Sequence, residues 1–188
     1  MSKLFLAAIL VLMAGGAQAT TYTYTGVNFD AASSPYTTAM SVSGSITLAS
    51  PLAANLVGHD LLASLTAWSF STGVQTYSSA APPPYKEVIV STHADGTIAD
   101  WFMRFTNAMD QSLVSCGVVG SGATLGVTWC GYEDSPAEYD WVSEGPDLAH
   151  ASSAHAGSWS QIPEPSTGLL VTLGLTRLAA KGRRRNRS

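Results

Sequence analysis

The chain has 188 residues, enough for one ordinary domain with short targeting segments at its ends. Its formal net charge of -4 hides an uneven distribution. Between Thr20 and Ile162, two basic residues stand against twelve acidic ones, a charge of -10. Nucleic acid and anionic membrane surfaces bind clustered positive charge, so we expect neither as a partner of this acidic body.

The N-terminus predicts a secretory signal peptide, with a signal helix, over residues 1–19. Lys3 supplies a positive start, and residues 4–14 form an apolar run that is short for a bilayer span. Ala17 and Ala19 then give the small-x-small pattern that signal peptidase cuts, so the mature chain would begin at the next residue. The alternative is an uncleaved N-terminal anchor.

The body, residues 20–161, is predicted to be all-β: an antiparallel β-sandwich, with a jelly-roll order as one option. Residues 21–29 alternate between polar and apolar with period two, as a half-buried strand does. Residues 38–48 alternate again, and Gly44 within them predicts a bulge or bend. The apolar residues of this second run share one parity: Met40, Val42, Ile46 and Leu48.

The next segments are predicted to be a strand and a loop. In residues 61–70 the alternation favours a strand, although His59 and Asp60 could instead cap a short helix. Residues 78–85 contain three consecutive prolines, which cannot donate hydrogen bonds to a ladder, so we expect a loop there.

Residues 86–105 carry the clearest hairpin signal. Asp95-Gly96 between two β-rich runs predicts a two-residue turn, which fixes a register in which partner numbers sum to 191. This register places Glu87 opposite Arg104 and makes both faces of the hairpin apolar near Phe102. A hairpin that is apolar on both faces is expected at the centre of its sheet.

A second hairpin is predicted from residues 112–119 and 123–130, around Gly120-Ser121-Gly122. Cys116 and Cys130 lie on its two strands and are the only cysteines in the chain. In an oxidising compartment they are expected to form a disulfide, which would contribute roughly 3 kcal/mol if it is unstrained. The alternative is two free thiols.

Residues 133–147 form an acidic run that also contains aromatic residues. The acids are Glu133, Asp134, Glu138, Asp140, Glu144 and Asp147. Closely spaced carboxylates could bind Ca²⁺, but the order does not match an EF-hand, and a solvated acidic loop is the favoured interpretation. Trp141 and Tyr139 are the candidates for stacking against a sugar, with Trp141 expected to be exposed and Trp101 expected in the core.

We find no catalytic constellation in the body, and we expect no enzyme. The four histidines share no metal-ligand spacing, and no serine lies in a Gly-x-Ser-x-Gly motif. Glu138 and Asp140 could in principle serve as the carboxylate pair of a glycoside hydrolase, although any acidic loop offers such a pair. A carbohydrate-binding module and, less favoured, a glycoside hydrolase remain the alternatives to a non-enzymatic protein without cofactors.

The tail, residues 162–188, combines three features in a fixed order. Pro163-Glu164-Pro165 comes first, an apolar stretch follows over residues 168–180, and a basic cluster closes it. The cluster contains Lys181, Arg183, Arg184, Arg185 and Arg187. This order resembles the PEP-CTERM sorting signal, the tail of exported proteins in Gram-negative bacteria that make exopolysaccharide.

The resemblance implies a processing route. Signal peptidase would act first, and a membrane-embedded exosortase with a catalytic cysteine would then cut near Pro163 to Pro165, with this chain as its substrate. The precursor would be anchored in the inner membrane, and the mature product would lie at the cell surface or in the exopolysaccharide matrix, with the polysaccharide itself as an expected contact.

The physical chemistry of the tail fits a membrane segment only in part. The basic cluster would stay in the cytoplasm by the positive-inside rule and stop transfer. Residues 168–180, however, would form a helix of about 20 Å, against roughly 30 Å of hydrocarbon, and they include Arg177. Arg177 would have to extend toward the cytoplasmic edge, which leaves a short apolar span. The alternative is an ordinary membrane anchor without sorting.

Overall fold

The computed structural model describes residues 19–118, 139–144, 149–155 and 157–163, and all regular structure in these ranges is β. The strands form two sheets in which every described pairing is antiparallel. The predicted signal helix and tail helix lie outside these ranges. Within them, no helical segment has the length and hydrophobicity that crossing a bilayer requires.

The first sheet has five strands. In spatial order they are β12 (Ser158–Pro163), β1 (Thr20–Thr25), β3 (Ser43–Leu48), β5 (Leu65–Ser71) and β6 (Thr76–Ser78). The second sheet has seven strands. In spatial order they are β2 (Ala31–Ala32), β11 (His150–Ser153), β10 (Tyr139–Ser143), β9 (Ser112–Val118), β8 (Ile98–Thr106), β7 (Tyr85–Thr92) and β4 (His59–Asp60). Strands β7 to β11 are therefore neighbours in chain order, a meander.

The alternation in the first two predicted strands is confirmed over β1 and β3, which are shorter than the predicted 21–29 and 38–48, but the irregularity predicted at Gly44 is not confirmed. In β3, Ile46 and Leu48 point into the core, and Gly44 pairs regularly with both of its neighbours. The register shift lies instead between Thr47 and Leu48. Gly44 is small for a different reason: a Cβ there would collide with the ring of Phe70 and the carbonyl oxygen of Ser69.

The first predicted hairpin, β7–β8, has the predicted register but a different turn. The pairs from Lys86↔Phe105 to Ser91↔Asp100 all sum to 191. The turn has three residues rather than two: Gly96 donates to the carbonyl of His93 (3.0 Å), with Gly96 at a φ of 82°. A three-residue loop that ends in a left-handed glycine is typical of hairpins with a glycine bulge, and it shifts the register by one.

A second irregularity then restores the register. Thr92 pairs with Ile98 and Ser91 with Asp100, so that Ala99 is an extra residue in β8. The extra residue compensates the longer turn, which is why the predicted pairing holds beyond it. As expected, β8 lies inside its sheet, between β7 and β9, and both of its faces are buried near Phe102.

The predicted strand over residues 61–70 and the loop over 78–85 are largely confirmed. β5 begins at Leu65, after a turn in which Ser64 and Leu65 both donate to the carbonyl of Leu61. His59 and Asp60 do not cap a helix; they form the short edge strand β4 against β7. The prolines precede β7 and donate nothing to either sheet.

The second predicted hairpin is wrong in its pairing. β9 is a strand, as predicted, but its two edges are occupied by β8 and by β10. β10 covers the edge of β9 from Ser112 to Cys116, which residues 123–130 would have needed. Residues 123–130 lie outside the described ranges.

The core lies between the two sheets and is largely aromatic. Phe105 of β8 stacks on Trp68 of β5, with ring centroids 4.7 Å apart, and also on Phe70 at 5.3 Å. Tyr24 of β1 packs edge-on against Trp101 of β8 at 5.7 Å. Trp101 is therefore in the core, as predicted.

Candidate functional site

Both predicted processing points lie at one end of the first sheet. β12 pairs with β1 along its full length, and the last pair is Thr20↔Pro163. Thr20 directly follows Ala19, the predicted signal cleavage point, and Pro163 begins the Pro-Glu-Pro motif. The two predicted processing points are thus adjacent in the sheet. Ala17, Glu164, Pro165 and the basic cluster lie outside the described residues.

Strand β12 is held in place by contacts with the core. The backbone N–H of Gly157, just before the strand, donates to the hydroxyl of Tyr24 at 2.7 Å. The ring of Trp159 packs on the same tyrosine, with centroids 5.1 Å apart. Gly157 has no room for a side chain, because a Cβ would collide with the carbonyl of Thr25. The side chains of Ser158, Ser160 and Gln161 are exposed, and Ile162 is 53% exposed.

The Tyr24 hydroxyl also makes a hydrogen bond from one sheet to the other. It donates to Asp140 of β10, at 2.8 Å from one carboxylate oxygen and 3.0 Å from the other. Asp140 is fully buried, and its neighbour across the ladder, Ser115, accepts a hydrogen bond from the indole of Trp101 at 3.1 Å. The hydroxyl of Tyr24 therefore connects β1, β10 and the backbone before β12.

Burial disfavours the charged form of both partners in this pair. Desolvation raises the pKa of Asp140 to about 6, although hydrogen bonds from Ser115 and Tyr24 oppose the shift. Desolvation and the nearby carboxylate raise the pKa of Tyr24 well above its usual range, so the phenol stays protonated and remains the donor. The favoured interpretation of the acidic run as a solvated loop is wrong at this residue, because Asp140 lies on a strand with its side chain in the core.

Glu144 forms a second polar cluster at the end of β10. Its carboxylate accepts hydrogen bonds from Tyr36 (2.7 Å), from the Gln75 amide (2.8 Å) and from the Gln111 amide (2.7 Å). Gln75 in turn accepts from the hydroxyl of Tyr77 at 2.8 Å. Neutral donors thus surround the carboxylate, and three other segments of the chain meet on it.

Removing the Glu144 carboxylate should destabilise the protein. Glu144→Ala leaves three donors without their acceptor, and we expect a loss of about 1–3 kcal/mol in the free energy of unfolding. Glu144→Gln keeps the shape and one good acceptor, so its loss should be smaller. Urea denaturation of the two variants measures both losses, and equal stability of Glu144→Ala and the unchanged protein would contradict this role.

The predicted ligand-binding pair is only partly described. Trp141 is half-buried rather than exposed, and it packs beside Phe102, Val114 and Cys116. Tyr139 is the first residue of β10, opposite Cys116. A sugar-binding platform needs an open aromatic face, which the half-buried ring of Trp141 offers only in part.

The remaining predicted sites are placed as follows. Cys116 is fully buried and bonded rather than free, but Cys130 lies outside the described residues, so their pairing stays a prediction. Of the proposed hydrolase pair, Asp140 faces the core, and Glu138 is not among the described residues. Among the described residues, no group of three His, Cys, Asp or Glu side chains is arranged to hold a metal ion.

Comparison with known proteins identifies no relative. No protein-family model, no curated protein and no solved structure matches this chain.

Proposed function

We propose that this protein is a non-enzymatic, exported component of the cell envelope or exopolysaccharide matrix. An exosortase-like membrane enzyme would sort it and cut it at Pro163-Glu164-Pro165, after signal peptidase has cut behind Ala19. The tail supports this assignment through the order of its three features. The signal-like N-terminus and the acidic body agree with it, since the basic residues gather outside the body.

One structural observation carries the proposal further than the sequence does. In the ladder between β1 and β12, Thr20 pairs with Pro163, so the two points where cuts are expected lie beside each other. Cleavage at both points would remove the flanking segments and leave every described strand in place. In the precursor, both flanking segments would leave the body at the same end of the first sheet, so both could enter the membrane without spanning the body.

The body itself is proposed to be an antiparallel β-sandwich. Aromatic side chains from the two sheets stack on each other, as Trp68 and Phe105 do, and one hydrophobic cluster contains residues of both sheets. The meander of β7 to β11 favours a simple sandwich over a jelly roll, in which strands adjacent in the chain tend to lie in opposite sheets.

Intact mass of the native protein, recovered from the host's surface or medium, tests the proposed processing. We expect a chain that begins at Thr20 and ends between Pro163 and Pro165, reduced by about 2 Da if a disulfide has formed. A variant with Pro163→Ala and Pro165→Ala should retain its tail. A native mass that still includes the arginines after Lys181 would overturn the sorting assignment.

A further inference from the structure

The turn between β7 and β8 contains Asp95-Gly96, the one place in the sequence where Asp or Asn directly precedes a glycine. Such a pair is chemically labile, because the glycine nitrogen can attack the side-chain carbonyl carbon of the residue before it. A glycine puts no side chain in the way of this attack, and its backbone is free to adopt the conformation that the attack needs. Asp95 is also exposed, so water reaches the site.

The reaction has two steps, and water is its only co-reactant. In the first step, the backbone nitrogen of Gly96 forms a bond to Cγ of Asp95. The protonated carboxyl loses its hydroxyl and the nitrogen loses its proton, so one water leaves and a five-membered succinimide remains. In the second step, water opens the ring at either carbonyl. One opening restores aspartate, and the other gives isoaspartate, in which the main chain runs through Cβ and Cγ of the residue.

The fold uses both residues of this labile pair. Gly96 has a φ of 82°, which residues with a side chain rarely adopt, and a Cβ there would lie 2.9 Å from the carbonyl oxygen of Leu52. The carboxylate of Asp95 accepts a hydrogen bond from the backbone N–H of Thr97 at 3.0 Å, which closes the turn. A less labile pair would therefore give up part of the turn.

Thr97 holds the carboxylate in its unreactive form. Its hydroxyl and its backbone N–H both donate to the same oxygen of Asp95, at 2.6 Å and 3.0 Å. These hydrogen bonds favour the ionised group and lower the pKa of Asp95, and the nearby His93 lowers it further. The ionised carboxylate resists attack because an oxygen anion would have to leave, whereas the protonated acid can lose water.

The attacking nitrogen is held as well. The N–H of Gly96 donates to the carbonyl of His93 at 3.0 Å, and the N–H of His93 donates to the carbonyl of Thr97 at 2.9 Å. Both hydrogen bonds keep the turn closed. The reaction therefore requires a local opening of the turn, and its rate in the folded protein depends on how often that opening occurs.

We propose that Asp95 is the residue at which this protein undergoes isoaspartate formation, and that Thr97 slows the reaction in the folded chain. Thr97 is a positioning residue, since it acts through the carboxylate of Asp95. The product would lengthen the main chain of the turn by one carbon, in a hairpin whose pairing depends on the length of that turn. The inference is independent of the proposed sorting and cleavage, since it concerns only the body.

Ageing of the full chain at mildly acidic to neutral pH tests the proposal. An isoaspartyl methyltransferase counts the isoaspartate, and Asp-N digestion with mass spectrometry locates it, because this protease cleaves at aspartate and not at isoaspartate. We expect the product at position 95. Thr97→Val removes the hydroxyl and keeps the N–H, so it should react several-fold faster, while Thr97→Ser should match the unchanged protein. Asp110, in another exposed turn but followed by Gln111, is the internal control and should stay aspartate.

Two further measurements distinguish this role from a general loosening of the turn. The rate should fall as pH rises through the pKa of Asp95, and Thr97→Val should move this fall to higher pH, which loosening alone would not do. In urea the hydrogen bonds of the turn are lost, so Thr97→Val and the unchanged protein should react equally fast. Isoaspartate elsewhere with none at position 95, equal rates of the two folded proteins, an unshifted pH profile, or a difference that persists in urea would each overturn the proposal.

Discussion

Phe105→Ala should be the most damaging single substitution in the described core, with an expected loss of about 4–5 kcal/mol in the free energy of unfolding. Removing a buried phenylalanine side chain costs roughly 3–5 kcal/mol through lost transfer energy and the cavity left behind. Phe105 also stacks on Trp68, Phe70 and Tyr77 of the other sheet, and each aromatic pair contributes about 0.5–1.5 kcal/mol beyond burial. The loss approaches the whole stability of a marginal domain.

The control for this experiment is a substitution that keeps most of the volume. Phe105→Leu loses the stacking but fills much of the space, so we expect it to lose less than half as much. Met109→Ala, at a side chain that is 70% exposed, should change little. Chemical denaturation of all three variants measures the differences. If Phe105→Ala and Met109→Ala were equally stable, the two sheets would not depend on this contact.

Acidification from pH 7 to pH 4 should strengthen the fold through Asp140. Its pKa is about 6 in the folded protein against an ordinary value of 3.8, so the folded state holds the proton more tightly than the unfolded state. The corresponding stabilisation is complete below about pH 4 and is lost as pH rises through about 6. A shift of about two pKa units corresponds to roughly 3 kcal/mol.

Asp140→Asn isolates this contribution from the other acids. Asparagine is close in shape, can still accept from Tyr24, and does not titrate, so the variant should lack the gain between pH 7 and pH 4. The measurement is the free energy of unfolding at several pH values for both proteins. Because Asp100 also has a raised pKa, the difference between the two profiles is the quantity to compare. A constant difference across this range would refute the assignment.

Local signals in the sequence were sufficient for much of the sheet structure. The alternation of Ile46 and Leu48 gave the buried face of β3, and the hairpin around Gly96 gave a register that holds from Lys86 to Ser91. The turn type was misjudged because two compensating irregularities, a longer turn and an extra Ala99, leave the pairing unchanged. Apolar and charge patterns report the pairing and not the turn geometry.

The polar interior could not be predicted in this way. Asp140 lies among acidic residues and reads as surface, because the hydroxyl that binds it belongs to Tyr24, 116 positions earlier in the chain. Glu144 is similar, with its partner Tyr36 separated by 108 positions. No spacing rule connects residues so far apart. One signal was available for Asp140. Residues 139–142 alternate as a strand does, which puts Tyr139 and Trp141 on one face and Asp140 on the other face with the apolar Val142.

The pairing of β1 with β12 also determines when the fold can be completed. If the chain is exported in an extended form from its N-terminus, β1 emerges early, and its outer neighbour emerges only after some 140 further residues. Contacts of such long sequence separation form slowly, because a large loop must close first. Until then one edge of β1 has no partner and is open to pairing with other chains. A chaperone that binds β1 during export would therefore be most useful before β12 has been exported.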